Sequence, residues 1–257
     1  MRIISLSPAV TEILVKLGLE DEIVGTSSFC LLWLTEKKEI VGSYISISYS
    51  KLKELKPDIV FLQSGVQDHI FRTLVDKGYR AYLMPLPRSI YGILQSVTDV
   101  GSIVGRYYDS KELISRLLEK LDHLRVNLSM PPEGRLKVYI EYLWPNWSYT
   151  TAGALTFIDD GIWWAGGINI FHERVVGFFT PKTQEILCKK PQLILVNIEP
   201  VMKISLLVYL KRRGFEKVKK ILLVKESRDI NLAHPGPSFI NTVLWLSKLL
   251  KNTYLGK

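Results

Sequence analysis

The chain has 257 residues, 47% of them apolar and 23% charged, with a formal net charge of +9. That length admits one large domain or two lobes of roughly 100–150 residues each, and the mixed composition excludes a disordered chain. No apolar run approaches the ~18 residues of a membrane span, and two cysteines, Cys30 and Cys188, exclude a disulfide framework and are read as buried free thiols.

In chain order, apolar runs of strand length alternate with helical patterns. Residues 2–6 read as a buried strand, Ser7 as an N-cap and Pro8 as the first residue of a helix over 8–17. Strands at 23–26, 58–63 and 80–84 follow, separated by helices over 50–55, 67–77 and 89–105. Residues 109–128 carry Leu113, Leu117, Leu121 and Leu124 on one face, which predicts a long amphipathic helix capped by Ser110 and stopped by Pro131 and Pro132. Strands at 136–142, 193–198 and 220–224 and helices over 205–213 and 238–251 complete the chain. Such alternation predicts parallel sheets flanked by helices.

One local text occurs twice. LKELKPDIVFLQ (52–63) returns as ILCKKPQLILVN (186–197), a helix end, Lys-Pro, a polar residue and a buried strand. A repeat at about half the chain length predicts two similar α/β lobes. The expected organisation is an N-terminal lobe over 1–108, a linking backbone helix over 109–130 and a C-terminal lobe over 131–257.

The densest basic cluster, Lys211, Arg212, Arg213, Lys217, Lys219 and Lys220, has no adjacent nucleic-acid motif and is read as a solvated helix face rather than a polyanion site. No nucleic-acid partner is expected. GxSxG, P-loop, GxGxxG, HExxH and CxxC patterns are all missing. Asp159 and Asp160, adjacent in TFIDDGI, read as a helix start rather than a catalytic pair. Because structure is predicted from residue 2 with no charged leader before it, the expected location is cytoplasmic; an extracytoplasmic receptor with its leader removed is the alternative.

Four segments in order, RIISLSPAVTEILVKLGLEDEIVGTS (2–27), KLKELKPDIVFL (51–62), TTAGALTFIDDGIWWAGGINIF (150–171) and HPGPSFINTVLWLSKLL (234–250), resemble the helix-linked (class III) substrate-binding proteins of ABC transporters, closest to their cobalamin-binding branch. The resemblance implies two lobes, each a mostly parallel sheet, joined by one long backbone helix, with a ligand cleft between them. It implies no intrinsic cofactor and a ligand, cobalamin or an iron chelate such as a siderophore or haem, that brings its own metal. Carried over by position, the aromatic ligand-binding residues fall on Phe29, Tyr44 and Phe178. Trp33, Trp144, Trp147 and Tyr149 lie in or beside neighbouring loops and supply flat apolar contact. His234, before PGP, is either a donor to backbone or an axial ligand to a bound chelate.

Two departures from the family pattern matter. The loop commonly written Cys-Asp-Tyr-Pro is here Cys30-Leu31-Leu32-Trp33, which makes that rim more apolar. The glutamates that dock a permease fall on Ser50 and Gln184, so an ABC permease partner is doubtful, with Glu54 and Glu185 as the nearby substitutes. The expected function is a monomeric, non-catalytic binding protein for a corrinoid or related metal chelate. The alternatives are an importer receptor for cobalamin or an iron chelate, and an enzyme reusing the cleft.

Overall fold

The computed structural model describes the whole chain except residues 44, 200, 201, 217, 219 and 255–257 and the side chain of residue 254. Two compact units emerge. The first is Met1–Pro87, Tyr91–Leu118 and His234–Ser238; the second is Arg88–Ile90, Glu119–Ala233 and Phe239–Lys257.

In the first unit, β1 (Ile3–Ser5) and β4 (Ile59–Gln63) are buried along their whole length, as strands covered on both faces must be. They form the centre of a sheet completed by β2 (Ile23–Ser27), β3 (Glu39–Gly42) and β5 (Ala81–Met84), in the order β3-β2-β1-β4-β5 with every neighbour parallel. The helices are α1 (Pro8–Lys16), α2 (Tyr49–Leu55), α3 (Asp68–Asp76) and most of α4 (Ile90–Ile103). Ser7 caps α1 by accepting from the Val10 N–H, with Pro8 in the first turn. Ile4, Leu6, Val60, Leu62, Ile70 and Leu74 form the core.

In the second unit the central strands are β6 (Leu136–Leu143) and β10 (Leu193–Ile198). They pair in parallel with each other, and β11 (Ile221–Lys225) pairs in parallel with β10. On the far side of β6 lie β7 (Tyr149–Ala152), antiparallel, and β8 (Gly167–Asn169), parallel, with β9 (Phe178–Phe179) antiparallel to β7. The helices are α6 (Phe157–Trp164), α7 (Thr183–Cys188), α8 (Leu206–Arg213) and α9 (Phe239–Tyr254). Thr156 caps α6 through the Asp159 N–H, the helix start predicted for TFIDDGI.

The repeat read from the sequence is structural. Lys56, ending α2, and Lys190, just past α7, both sit in the left-handed region, at φ 45° and 52°. The residue after each proline then makes a reciprocal pair with a residue at the amino end of a central strand, Arg2 just before β1 and Lys137 second in β6. Asp58 N–H donates to the Arg2 carbonyl (2.8 Å) and its carboxylate accepts from Arg2 N–H (2.7 Å). Gln192 N–H donates to the Lys137 carbonyl (2.8 Å) and its side-chain oxygen accepts from Lys137 N–H (2.9 Å).

The long mid-chain helix is shorter than its leucine pattern predicts. It is α5 (Tyr107–Asp122), and residues 125–129 form a 3-10 turn. Arg135 explains the end, because its buried guanidinium collects the carbonyls of Asn127, Met130, Trp163 and Gly167 and stacks on the Trp163 ring. Ser110 does not cap this helix; it lies inside it, donating to the Tyr107 carbonyl (2.6 Å) and packed so closely on Gly101 that a Cβ there would lie 2.5 Å from Ser110 Cβ.

Two further readings are corrected. Cys188 is exposed, while Cys30 is buried. Arg213 is no part of a solvated face; it is buried against the fully buried Glu141 as a bidentate pair, Nε to Oε1 at 3.0 Å and Nη2 to Oε2 at 2.7 Å. Tyr209 and Tyr139 hydroxyls donate to the same two carboxylate oxygens at 2.8 and 2.9 Å. Lys211 and Arg212 are exposed as expected, and Lys217 and Lys219 lie outside the described residues.

Candidate functional site

In parallel α/β sheets the loops following the strands' carboxyl ends form the natural ligand face. In the first unit those loops carry exposed apolar side chains: Phe29 and Leu31 after β2, Ile45 after β3, Val66 after β4 and Leu86 after β5. Phe29, at 44% exposure, is accessible. Trp33, four residues on, is 5% exposed and belongs to the core. Tyr44 falls outside the described residues.

The topological switch point of this sheet lies between β1 and β4, and protein groups fill it. Ser7 Oγ donates to Gln63 Oε1 (3.0 Å), Gln67 Nε2 to the Leu6 carbonyl (3.2 Å), and Gln63 Nε2 to the Met84 carbonyl (2.9 Å), with all three side chains buried. Accessible surface therefore lies on the loop tips.

A carboxyl group that sequence reasoning passed over holds the HPGPS segment. Glu12, on α1 and 2% exposed, accepts from Ser238 N–H (2.6 Å) and Ser238 Oγ (2.9 Å), with Lys16 at 3.7 Å. Burial outweighs these contacts and pushes its pKa up to about 7. A glutamate within the mostly apolar PAVTEIL run was the available signal. His234, at the start of the segment, is half-buried and hydrogen-bonded or packed within its surroundings.

In the second unit, β6 and β7 are joined by a tight turn over 144–148. Trp147 N–H donates to the Trp144 carbonyl (2.8 Å) and Trp144 N–H to the Ser148 carbonyl (3.0 Å). Trp147 itself sits at φ 65°, a conformation that glycine or asparagine ordinarily supplies at the end of such a turn. An open groove of about 350 Å³ runs beside it, lined by Pro145, Trp147, Met202, Lys203, Ile204, Ser205 and Val208. It lies at the carboxyl ends of β6 and β10. Trp147 was expected here; Met202 to Val208 were not, because nothing in that stretch resembles a motif. A second cavity, about 10 Å³ under α6 and α9 and lined mainly by apolar side chains, is a packing gap.

The remaining aromatics are placed differently. Trp144 is 41% exposed, and Phe178, 42% exposed, leans edge-on against Tyr142 with centroids 5.6 Å apart. Tyr149 is half-buried and tied down, its hydroxyl donating to the Pro181 carbonyl (3.0 Å) and its ring covered by the Arg213 guanidinium at 3.6 Å. Asp159 accepts from Asn169 Nδ2 (2.9 Å) and Asp160 from the Ile90 N–H (2.6 Å), and burial raises both carboxyls. Among the described residues no cluster of three or more His, Cys, Asp or Glu could hold a metal, and no helix is long and apolar enough to cross a membrane.

Two α/β units, each with helices packed on a largely parallel sheet, define the fold class. A family model described as periplasmic binding protein matches residues 3–209, and the chain belongs to that family. A cobalamin-binding protein of Halobacterium salinarum is 23% identical over 202 residues, covering 77% of this chain and 54% of the relative. The chain thus spans about half the length of that relative. Two solved structures share the fold: the periplasmic heme-binding protein RhuT from Roseiflexus sp. RS-1 (TM-score 0.81, 21% identity, 98% of each chain) and the periplasmic vitamin B12 binding protein BtuF of Vibrio cholerae (TM-score 0.75, 19% identity, 98% of this chain and 97% of that one).

Proposed function

We propose that this protein binds, without catalysis, a corrinoid or related metal chelate through the loops at the carboxyl ends of its strands. The observation that carries the reading is that the loops after β2, β3, β4 and β5 each hold out an exposed apolar side chain, Phe29 and Leu31, Ile45, Val66 and Leu86 in turn, while Trp147 lines an open groove in the other unit. Scattered apolar exposure is ordinary, but clustering on one set of loops marks a binding surface. Family membership and the cobalamin- and heme-binding names of the relatives support the ligand class.

Phe29, Tyr44, Trp144, Trp147 and Phe178 are the proposed contacts, with the buried Trp33 and the half-buried Tyr149 as supporting residues and His234 as the imidazole to test against a chelated metal. Native mass spectrometry of protein from its own host identifies the ligand. Quenching of tryptophan emission by cyanocobalamin and by ferric protoporphyrin IX then gives affinities. Phe29→Ala, Tyr44→Ala and Phe178→Ala should each weaken binding by about 1–3 kcal/mol. Unchanged affinity in all three removes the assignment.

The reading excludes permease docking through paired glutamates. Ser50 on α2 and Gln184 on α7 are exposed at matching places in the repeat, and neither is acidic. Of the nearby substitutes, Glu185 is paired with Arg174 at 3.2 Å, and Glu54 is exposed. Without that docking the protein works as a monomer in the cytoplasm. Fractionation of the native host with a permease pull-down tests this; a permease complex weakened by Glu54→Ala and Glu185→Ala would establish the importer receptor instead.

A further inference from the structure

The groove beside Trp147 has features that apolar contact alone does not require. Trp147 occupies the left-handed position of its turn, which costs a non-glycine residue roughly 1 kcal/mol or more. The cost is met in a place where the ring lines the groove and also carries the Arg212 guanidinium on its face, 4.1 Å from the ring centroid. Lys203 lies on the groove wall. Both cations are exposed, and neither forms an ion pair among the described residues. By contrast Arg213, the next residue on α8, is committed to Glu141 and Thr183.

Resting on the chelate-binding reading, we propose that this groove takes an anionic substituent of the ligand, a carboxylate or a phosphodiester, between Lys203 and Arg212, with Trp147 against the adjoining apolar surface. The chemistry is local. A guanidinium resting on an aromatic face keeps in-plane N–H groups for bidentate contact with a planar anion, and the ring shields one side of the resulting pair from water. Lys203 supplies a second, mobile charge. Neither a neutral nor a cationic substituent gains anything from two unpaired cations. The groove therefore sorts chelates by charge while the aromatic loop tips accept them by shape.

The test compares ferric protoporphyrin IX with its dimethyl ester, which differ in the two carboxylates, and cyanocobalamin with dicyanocobinamide, which lacks the nucleotide loop together with its phosphodiester. Whichever pair binds, the anionic member should bind about 10-fold tighter or more, as one charge-assisted hydrogen bond provides. Lys203→Gln with Arg212→Gln should abolish that preference, bringing the anionic member's affinity down to that of its neutral counterpart. Trp147→Gly should weaken binding of the anionic member about 10-fold; because the ring also packs on the core of this unit, affinities are compared at a temperature where both proteins are folded, and an unchanged affinity counts against the inference. A preference that survives the double variant, or equal binding of both members by the wild type, overturns the inference and leaves the chelate reading standing. Binding of no member of either pair overturns the chelate reading itself, and the inference with it.

Discussion

Removing the carboxylate of Glu141 should be among the most damaging single changes in the second unit. Glu141→Ala strips a bidentate partner from Arg213 and an acceptor from each of Tyr139 and Tyr209, four hydrogen bonds between 2.7 and 3.0 Å around a side chain with no exposure. A buried cation left alone costs about 3–5 kcal/mol, and two stranded hydroxyls add to it, so about 5 kcal/mol is expected. For a chain of this size that lowers the midpoint by roughly 10–20 °C. Tryptophan emission during urea or thermal unfolding reports the right unit, because Trp144, Trp147, Trp163, Trp164 and Trp245 lie in it and only Trp33 lies in the other. The paired variant Glu141→Leu with Arg213→Met should recover about half of the loss, since it removes the charge along with its partner. A loss below about 1 kcal/mol in Glu141→Ala, the size of an exposed ion pair, would show that the network is solvated and the reasoning wrong.

Stability should also depend on pH through Glu12. The fold holds its proton up to about pH 7, whereas the unfolded chain releases it near 4.5; the contribution, about 3 kcal/mol, is complete below 4.5 and is lost as pH rises through 7. Glu12→Gln should flatten that slope in urea titrations between pH 5 and 8, and an unchanged slope would assign it elsewhere. Gly236→Ala should destabilise by about 1–3 kcal/mol, because the new Cβ would fall 2.2 Å from Glu12 Oε2; a neutral result by calorimetry would mean the segment shifts freely. Lys56→Gly and Lys190→Gly should each be neutral to stabilising, by up to about 1 kcal/mol, as left-handed positions favour glycine; clear destabilisation of either would show that its side chain makes a needed contact.

The central strands were readable because β4 and β10 are unbroken apolar runs, and the Lys-Pro junctions before them repeat in plain text. The short strands β3, β7, β8 and β9 were not, since two to four residues carry no usable period. The end of α5 is set by Arg135, thirteen positions beyond Asp122, and leucine spacing within the helix holds no trace of it. Arg213 was hidden by its company, two exposed basic neighbours in LKRR. The hint lay elsewhere, in the glutamate inside LKVYIEYL, a carboxylate in a buried strand that demanded a cation. At the site, loop aromatics stood out by residue type, but burial separated Trp33 from Phe29 and backbone sign distinguished Trp147 from Trp144. Neither property is written in local sequence.

The reciprocal pairs Arg2–Asp58 and Lys137–Gln192 fasten the amino ends of the central strands, at the opposite pole from the loops that carry the exposed aromatics. Register is therefore set where recognition does not happen. Evolutionary drift in residues 28–34, 144–148 or 202–206 changes what those loops hold out without loosening the pairs that align each sheet. The two halves could diverge in this way, one ending its second strand in a 3-10 turn bearing Phe29 and the other its first in a tight turn bearing Trp147, while the same clamp persisted in both. For a protein engineer this division is a map: randomise the loop pole to change the cargo, and leave the Lys-Pro pole untouched.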